Sequence, residues 1–103
     1  MEAAIVADAV AVTRMTRAHE FVRQGSSVRG AIDLALLAAE LCRLRAVDDS
    51  GDARYAAAFL QAMLLALSGR LLVDEASGVD AESIVRELWE RRFVLDRAVA
   101  EPG

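Results

Sequence analysis

The sequence predicts an all-α domain, a four-helix bundle with one short extended segment near residues 70–73. Alanine, the residue with the highest helix propensity, accounts for 21 of the 103 residues. The single proline, Pro102, lies next to the end of the chain, so none of the predicted helices is interrupted by proline. Four segments carry apolar residues at a spacing close to the helical period. These three observations together predict the fold class.

The first helix is predicted from about Glu2 to Arg17. Residues 18–25 lose the helical period and end in Gly25, so a loop or a single turn is expected there. The apolar stripe that predicts the helix consists of Ile5, Val6, Ala9, Val10, Val12, Thr13 and Thr16.

The second helix is predicted to begin at Ser26 or Ser27, because a serine hydroxyl can cap a helix N-terminus, and to end near Ala46. Apolar residues surround most of this segment, which is typical of a helix buried among others, so it is expected to be central. Its main apolar face is Val28, Ala31, Ile32, Ala35, Leu36, Ala38, Ala39 and Cys42, extended by Leu34, Leu37, Leu41 and Leu44.

The third helix is predicted from about Ala53 to Ser68, after a polar turn over residues 47–52. Asp52 or Ser50 would cap its start, and Gly69 would end it. Its predicted core face is Ala56, Phe59, Leu60, Met63, Leu64 and Leu67.

The fourth helix is predicted from about Ala81 to Ala98, with Asp80 as its N-cap and residues 99–103 frayed. Glu87 and Arg91 stand four residues apart in the order that favours an ion pair on a helix. The predicted buried stripe is Ile84, Val85, Leu88, Trp89, Phe93 and Leu95.

Charge and composition exclude several classes of function. The net charge of −4 and the pI near 4.9 argue against a nucleic-acid-binding role. All twelve basic residues are Arg, so the chain has neither the lysine of a P-loop nor a lysine for a Schiff base, and it is not expected to be an enzyme on its own. The single Cys42 is expected to be buried and inert. No apolar run is long enough for a membrane span, and no basic segment precedes a small-residue cleavage site as in a signal peptide, so a cytoplasmic protein is expected.

Several residues that could carry chemistry are interpreted as structural. His19 and Glu20 are expected on the surface of a loop, because no second His or nucleophile accompanies them. The acidic turn lacks the spacing of a calcium loop and is assigned to capping and solvation, and no metal site is predicted. The residues of that turn are Asp48, Asp49 and Asp52. Trp89 and Phe93 are assigned to the core, and Arg91 and Arg92 to a solvated face.

Arg29 stands out because it falls in the first turn of the second helix. A positive charge there opposes the helix dipole at a cost of a few tenths to about 1 kcal/mol. The same place suits anions, and an arginine can reach a phosphate with a planar, permanently charged fork. Gly25 and Gly30 permit close approach of another backbone, and Ser26 and Ser27 offer hydroxyls. The residues alone leave two interpretations open, an anion site or an ordinary exposed arginine.

Residues 16–32, TRAHEFVRQGSSVRGAI, resemble the lid domain of MoxR-type AAA+ ATPases, in the magnesium-chelatase-like branch. That family typically shows Thr-Arg, a short loop, and then Gly-Ala-Ser-Pro-Arg-Ala opening a long apolar helix. Ser26, Val28 and Gly30 stand where the family usually has Ala, Pro and Ala. The positions that match in identity and spacing are Thr16, Arg17, Gly25, Ser27 and Arg29.

The resemblance implies a function for the whole chain. Arg29 would be the family's sensor-2 arginine and would contact ATP phosphates, with Ser27 and Gly25 beside it. The P-loop and the Mg²⁺ would belong to a separate α/β core, in the same subunit or a neighbouring one. Residues 1–103 would then be one lid domain of a longer ATPase, which is expected to form a homo-oligomeric ring, to do chaperone-like work and to act alongside a von Willebrand A-domain partner.

The alternative is a standalone helical module for protein–protein interaction or dimerisation. An apolar four-helix domain can pair with a second copy or bind a partner helix in a groove. The interface is then expected on the broad apolar face of residues 28–44, with Leu34 and Leu41 as central members.

Overall fold

The computed structural model describes residues 1–95, and this part of the chain is mostly helical, with four α-helices and two short strands. The predicted fold class and the four helices are confirmed. The predicted end of the fourth helix at Ala98 and the frayed tail lie outside the described residues. The elements are α1 (Glu2–Ala18), β1 (Val22–Gln24), α2 (Val28–Leu44), α3 (Ala53–Leu67), β2 (Leu72–Val73) and α4 (Ala81–Glu90).

Two of the predicted helix starts are confirmed by their capping hydrogen bonds. The Asp52 side chain accepts a hydrogen bond from the backbone N–H of Arg54 at the start of α3. The Asp80 side chain accepts one from the backbone N–H of Ser83, 2.8 Å away, at the start of α4. These caps satisfy N–H groups that have no partner inside the helix.

The helix ends differ in detail from the prediction. α2 ends at Leu44, because Ala46 adopts a left-handed conformation with φ of 55°. The backbone N–H of Val47 then donates to the carbonyl of Cys42 at 2.9 Å, and that of Ala46 donates to the carbonyl of Arg43. This pattern is a Schellman motif with alanine where glycine is usual. α3 continues through Gly69 as a 3₁₀ turn over Ser68–Arg70, and α4 continues as a π-helical turn over Arg91–Leu95.

The prediction of a loop or single turn over residues 18–25 is wrong for three of them. β1 pairs antiparallel with β2, Val22 opposite Val73 and Gln24 opposite Leu72. The backbone N–H of Asp74 also donates to the carbonyl of Phe21 at 2.8 Å. The expected extended segment is confirmed over Leu72–Val73. The two strands tie the α1–α2 connection to the segment that follows α3.

The core lies among the four helices, where α1 and α3 pack against α2 and α4 packs against α1 and α3. The stripe predicted for α4 is confirmed for Ile84, Val85, Leu88 and Phe93, whereas Leu95 is exposed. On α3 the buried face includes Tyr55, Ala58 and Ala62, which were not predicted to be buried. Ala56, Leu60 and Leu64, which were predicted to be in the core, are only half-buried. The largest fully buried side chains are Tyr55, Phe59, Leu34, Met63, Leu67, Ile84, Leu88 and Val12.

The prediction that α2 is buried on most sides is wrong. The helix is buried on one side only. Its buried row is Gly30, Leu34, Ala38 and Cys42, at spacings of one helical turn. Cys42 is buried, as predicted, and burial raises the pKa of its thiol. Leu34 is fully buried, so it cannot belong to an interface, contrary to the standalone-module prediction. Five residues of the predicted core face or its extension are exposed instead: Val28, Ile32, Leu36, Ala39 and Leu44.

A buried carboxylate on α1 joins three parts of the chain. The Tyr55 hydroxyl on α3 donates to Asp8 Oδ2 at 2.6 Å, and Arg92 donates to Asp8 Oδ1 through Nε at 3.0 Å and Nη2 at 2.9 Å. The prediction that Arg92 belongs to a solvated face is therefore wrong, because Arg92 is a partner of Asp8. None of the helices in the described range is long and apolar enough to cross a bilayer.

Candidate functional site

The turn that leads into α2 is held by two adjacent residues at the end of α1. The backbone N–H of Ser26 donates to Thr16 Oγ1 at 2.9 Å, and Arg17 Nε donates to the Ser26 carbonyl oxygen at 2.9 Å. Thr16 is fully buried, and its own hydroxyl donates to the Thr13 carbonyl. Both backbone polar groups of Ser26 are therefore satisfied by α1, and the start of α2 is fixed relative to it.

Two glycines allow the turn to pack this closely: Gly25 against another backbone, as predicted, and Gly30 against a side chain. A Cβ on Gly25 would lie 2.7 Å from the backbone nitrogen of Arg17, and a backbone atom cannot move aside as a side chain can. A Cβ on Gly30 would lie 1.8 Å from Ser26 Oγ. Ser26 is buried against this glycine, and its hydroxyl has no hydrogen-bond partner in the structure. Gly25 thus serves to bring the turn against α1.

Ser27 is the N-cap residue of α2, with extended backbone angles, but its side chain makes no capping hydrogen bond. The predicted position of the helix start is therefore confirmed, whereas the predicted capping by a serine hydroxyl is not found. The N–H groups of the first helical turn have no intrahelical acceptors. Because the exposed Ser27 hydroxyl does not cap them, this helix end retains donors that can face an anion.

Arg29 projects from this first turn into solvent, with its side chain 76% exposed. Its Nε lies 3.6 Å from Asp33 Oδ1, one helical turn further along α2. Asp33 also accepts a hydrogen bond from Arg70 Nη2, in the 3₁₀ turn after α3. One carboxylate is thus shared between two guanidinium groups, so the cluster keeps an excess of positive charge at the start of α2.

More arginines lie beside the same end of α2. A shallow depression is lined by Arg14 and Arg17 of α1 together with Val28 and Ala31 of α2. With Arg29 and Arg70, four arginines therefore surround the first turn of α2. The charge of this region is positive although the whole chain is acidic. Such a surface attracts a multiply charged anion over a distance of about 10 Å at ordinary salt.

An apolar groove of about 280 Å³ continues from this depression between α1 and α2. Its floor is made of small residues, Ala9, Ala31 and Ala35. Its rim consists of Val6, Val10, Val28, Ile32 and Leu36, all of which are exposed.

The expectation that His19 lies on the surface of a loop is wrong. Its side chain is only 4% exposed, and its Nε2 is hydrogen-bonded to Glu87 on α4. Its Nδ1 accepts a hydrogen bond from the backbone N–H of Phe21 at 3.1 Å. Glu20 is exposed, as predicted. His19 therefore ties the α1–β1 connection to α4, and the contacts describe a structural residue.

Two further interpretations made from the sequence, for Trp89 and for the pair of Glu87 and Arg91, agree with the structure. Trp89 packs beside Phe93 and donates from Nε1 to the Ala56 carbonyl at 2.8 Å, so it belongs to the core edge. The predicted pair of Glu87 and Arg91 is present at 3.4 Å. Within residues 1–95, no group of three or more potential ligands could hold a metal ion.

Sequence reasoning missed Asp33 and Arg70 as neighbours of Arg29. The spacing of Arg29 and Asp33 is the usual one for an ion pair on a helix, and this signal could have found Asp33. Arg70 is separated from Asp33 by 37 positions, and only the tertiary fold brings them together.

Comparison of the chain with family models, with curated proteins and with solved structures gives no match. The functional assignment therefore depends on the arrangement of residues around Arg29.

Proposed function

We propose that this chain is a lid domain of a MoxR-type AAA+ ATPase, and that Arg29 contacts the phosphates of ATP held by a separate P-loop core. The observation that carries the proposal is the position of Arg29. It is exposed, it stands on the first turn of α2 beside an N-terminus without a side-chain cap, and the turn before it is fixed to α1 by Thr16 and Arg17.

The residues at this helix end fit a phosphate group. The Arg29 guanidinium presents donors in a planar fork that matches phosphate oxygens, and its charge does not depend on pH in the ordinary range. The N–H groups of the first helical turn and the Ser27 hydroxyl add further donors. Gly25 contributes by close packing rather than by contact. When bound, ATP supplies the phosphoryl group that is transferred, and its Mg²⁺ is assigned to the core.

The role of Arg29 would be electrostatic. An arginine supplied to the transition state of phosphoryl transfer is worth about 10³–10⁵ in rate. Asp33 and Arg70 would set the position of Arg29, because Asp33 holds both guanidinium groups at the same helix end. Movement of the rigid α1–α2 unit would then carry Arg29 toward or away from the nucleotide and couple the nucleotide state to the lid.

The other parts of the proposal come from the resemblance. They are a homo-oligomeric ring, chaperone-like remodelling of a client protein and a von Willebrand A-domain partner. The four helices and the short strand pair suit a lid, and the lack of lysine leaves the P-loop to the core.

The size of the native polypeptide tests the proposal. An antibody raised against residues 1–103 would be used to detect the protein in a lysate of its source and to recover it for sequencing. We expect a polypeptide several times heavier than 11.1 kDa that carries a P-loop. A native polypeptide near 11.1 kDa that brings no P-loop protein with it would contradict the proposal.

A further inference from the structure

The face between α1 and α2 is an exposed apolar surface with a regular construction. On α1, Glu2, Val6, Val10 and Arg14 stand four residues apart and form one row along the helix. The second row, on α2, is Val28, Ile32, Leu36 and Glu40. The middle of each row is apolar and exposed, with Val28 69%, Leu36 66% and Val6 54% accessible. A contiguous row of exposed apolar side chains rimmed by charged residues is typical of an interaction site.

The two rows run in opposite directions, because the last turns of α1 lie beside the first turn of α2. Their charged ends therefore coincide. Arg14 lies at the same end as the N-terminus of α2, where Arg17 and Arg29 add positive charge. Glu2 and Glu40 lie at the other end, where Glu40 also pairs with Arg43 of its own helix. The groove is thus apolar in the middle and basic at one end, and the carboxylates of Glu2 and Glu40 stand beyond its other end.

We propose that this face binds a second copy of the chain in a two-fold symmetric dimer. A two-fold axis perpendicular to the groove, between Val6 and Val10 on α1 and between Ile32 and Leu36 on α2, reverses the direction of the second groove. The basic end of each copy then meets the Glu2 and Glu40 end of the other, and the two arginine clusters are kept apart. A surface with this distribution of charge is complementary to itself, as an isologous interface requires.

The shape of the groove suits the same occupant. The floor of Ala9, Ala31 and Ala35 leaves room for larger side chains from outside. Leu36 and Val28 project from the rim of each copy, and the symmetry places them over the groove of the other. Burial of these apolar side chains supplies the free energy of association, and the charged ends select the antiparallel orientation.

The dimer goes beyond the proposed lid function and does not depend on it. It forms when no ATPase core covers the α1–α2 face. Loss of dimerisation would leave the role of Arg29 untouched, and loss of the Arg29 role would leave the dimer untouched.

Sedimentation equilibrium on the 103-residue chain tests the dimer. We expect a concentration-dependent mass that reaches twice 11.1 kDa well below about 1 mM, the concentration at which a binding free energy of about 4 kcal/mol gives half occupancy. Ile32→Glu and Leu36→Glu are expected to weaken association at least about tenfold, since each places a charge in the apolar middle of the interface. Leu72→Glu, at an exposed position on β2 outside the groove, is the matched control and should leave the dimer intact.

A charge exchange tests the orientation. Arg14→Glu places a carboxylate in the α1 row at the basic end, where Arg17 and Arg29 remain, and the double change Glu2→Arg with Glu40→Arg makes both ends basic. Each variant is expected to self-associate less than the wild-type chain, and the mixture is expected to form a heterodimer. Circular dichroism and thermal melting check that each variant is folded.

A wild-type chain that stays monomeric up to about 1 mM would overturn the proposal. So would a folded Leu36→Glu variant that dimerises as well as the wild-type chain, or larger open assemblies in place of a dimer. Failure of the two charge variants to pair with each other would overturn the two-fold arrangement.

Discussion

Arg29 and Asp33 form an ion pair across one turn of α2, with Arg29 Nε 3.6 Å from Asp33 Oδ1. Asp33 is at the same time the partner of Arg70, which the fold brings from the far end of α3. The carboxylate therefore restrains two arginines at the N-terminus of one helix and lowers the positive charge that this end presents. Both pairs are partly exposed, so their main effect is on the position and field of Arg29 rather than on stability.

Asp33→Asn should strengthen phosphate binding in the proposed ATPase. The change removes a negative charge beside Arg29 while it keeps the size of the side chain. We expect the KM for ATP to fall about twofold to fivefold, as electrostatic coupling of a few tenths to about 1 kcal/mol produces. The stability of the domain should change little. Steady-state ATP hydrolysis measures the effect.

Glu82→Gln on α4 is the control for Asp33→Asn, because Glu82 pairs with Arg86 on α4 and has no contact with the Arg29 cluster. It should leave the KM for ATP unchanged. An unchanged or higher KM in Asp33→Asn would contradict the prediction that the negative charge of Asp33 weakens phosphate binding at Arg29.

Thr16→Val should destabilise the domain by about 1–3 kcal/mol. Valine has nearly the same shape, but it removes the hydroxyl oxygen that accepts from the buried Ser26 N–H, and that N–H is then left without a partner. Thr16→Ser keeps the oxygen and should recover most of the loss. Urea denaturation of the two variants and the wild-type chain measures the difference, and equal stability of Thr16→Val and the wild-type chain would refute the role of this hydrogen bond.

Ala46→Gly should stabilise the domain by about 1 kcal/mol. Ala46 has a φ of 55°, a conformation that costs a residue with a Cβ about 1–2 kcal/mol and that glycine adopts freely. Ala39→Gly, at an exposed position inside α2, should destabilise the domain by about 1 kcal/mol instead. Thermal melting of both variants checks the prediction, which fails if the two substitutions shift stability in the same direction.

The cap of α4 should make stability depend on pH in the acid range. Hydrogen bonds that Ser83 donates, from its side chain and from its backbone N–H, lower the pKa of the Asp80 carboxyl below its ordinary value of 3.8. The folded state therefore binds the proton less readily than the unfolded state. The contribution of this cap is complete above the ordinary pKa and is lost as the pH falls through the folded pKa.

Asp80→Asn removes the titratable carboxyl but keeps a side chain that can cap the helix, because asparagine is also a favourable N-cap residue. The free energy of unfolding of the wild-type chain should fall more steeply below about pH 4 than that of Asp80→Asn. Urea denaturation at a series of pH values measures both. Parallel curves for the two chains would show that Asp80 does not contribute to the acid dependence.

Local signals predicted much of the fold. The caps at Asp52 and Asp80 were predictable because an N-cap acts within three residues. β1 was missed because it is three residues long, two of them polar, and its partner β2 lies almost fifty positions away. Asp8 was missed for a similar reason, since its partners Tyr55 and Arg92 are distant in sequence.

The buried side of α2 could not be chosen from its sequence. Apolar residues surround most of that helix. The helical spacing of apolar residues therefore does not show whether the row of Leu34 and Ala38 or the row of Ile32 and Leu36 is the buried one. The row of Leu34 is buried because Gly30, on the same row, allows the helix to pack against the Ser26 turn. For the candidate site, the position of Arg29 was predictable from the helix start, whereas the contact between Asp33 and Arg70 needed the tertiary structure.

The rate of ATP hydrolysis by the polypeptide that carries this domain together with its P-loop core tests the central claim most directly. Arg29→Ala should lower the turnover at least about tenfold, because an arginine at a transferring phosphate stabilises developing charge, and Arg29→Lys should recover part of it. Arg43→Ala, which removes an arginine that is exposed on the same helix and paired with Glu40, should have little effect. Turnover that is unchanged in a folded Arg29→Ala variant would contradict the assignment of Arg29 to the ATP site.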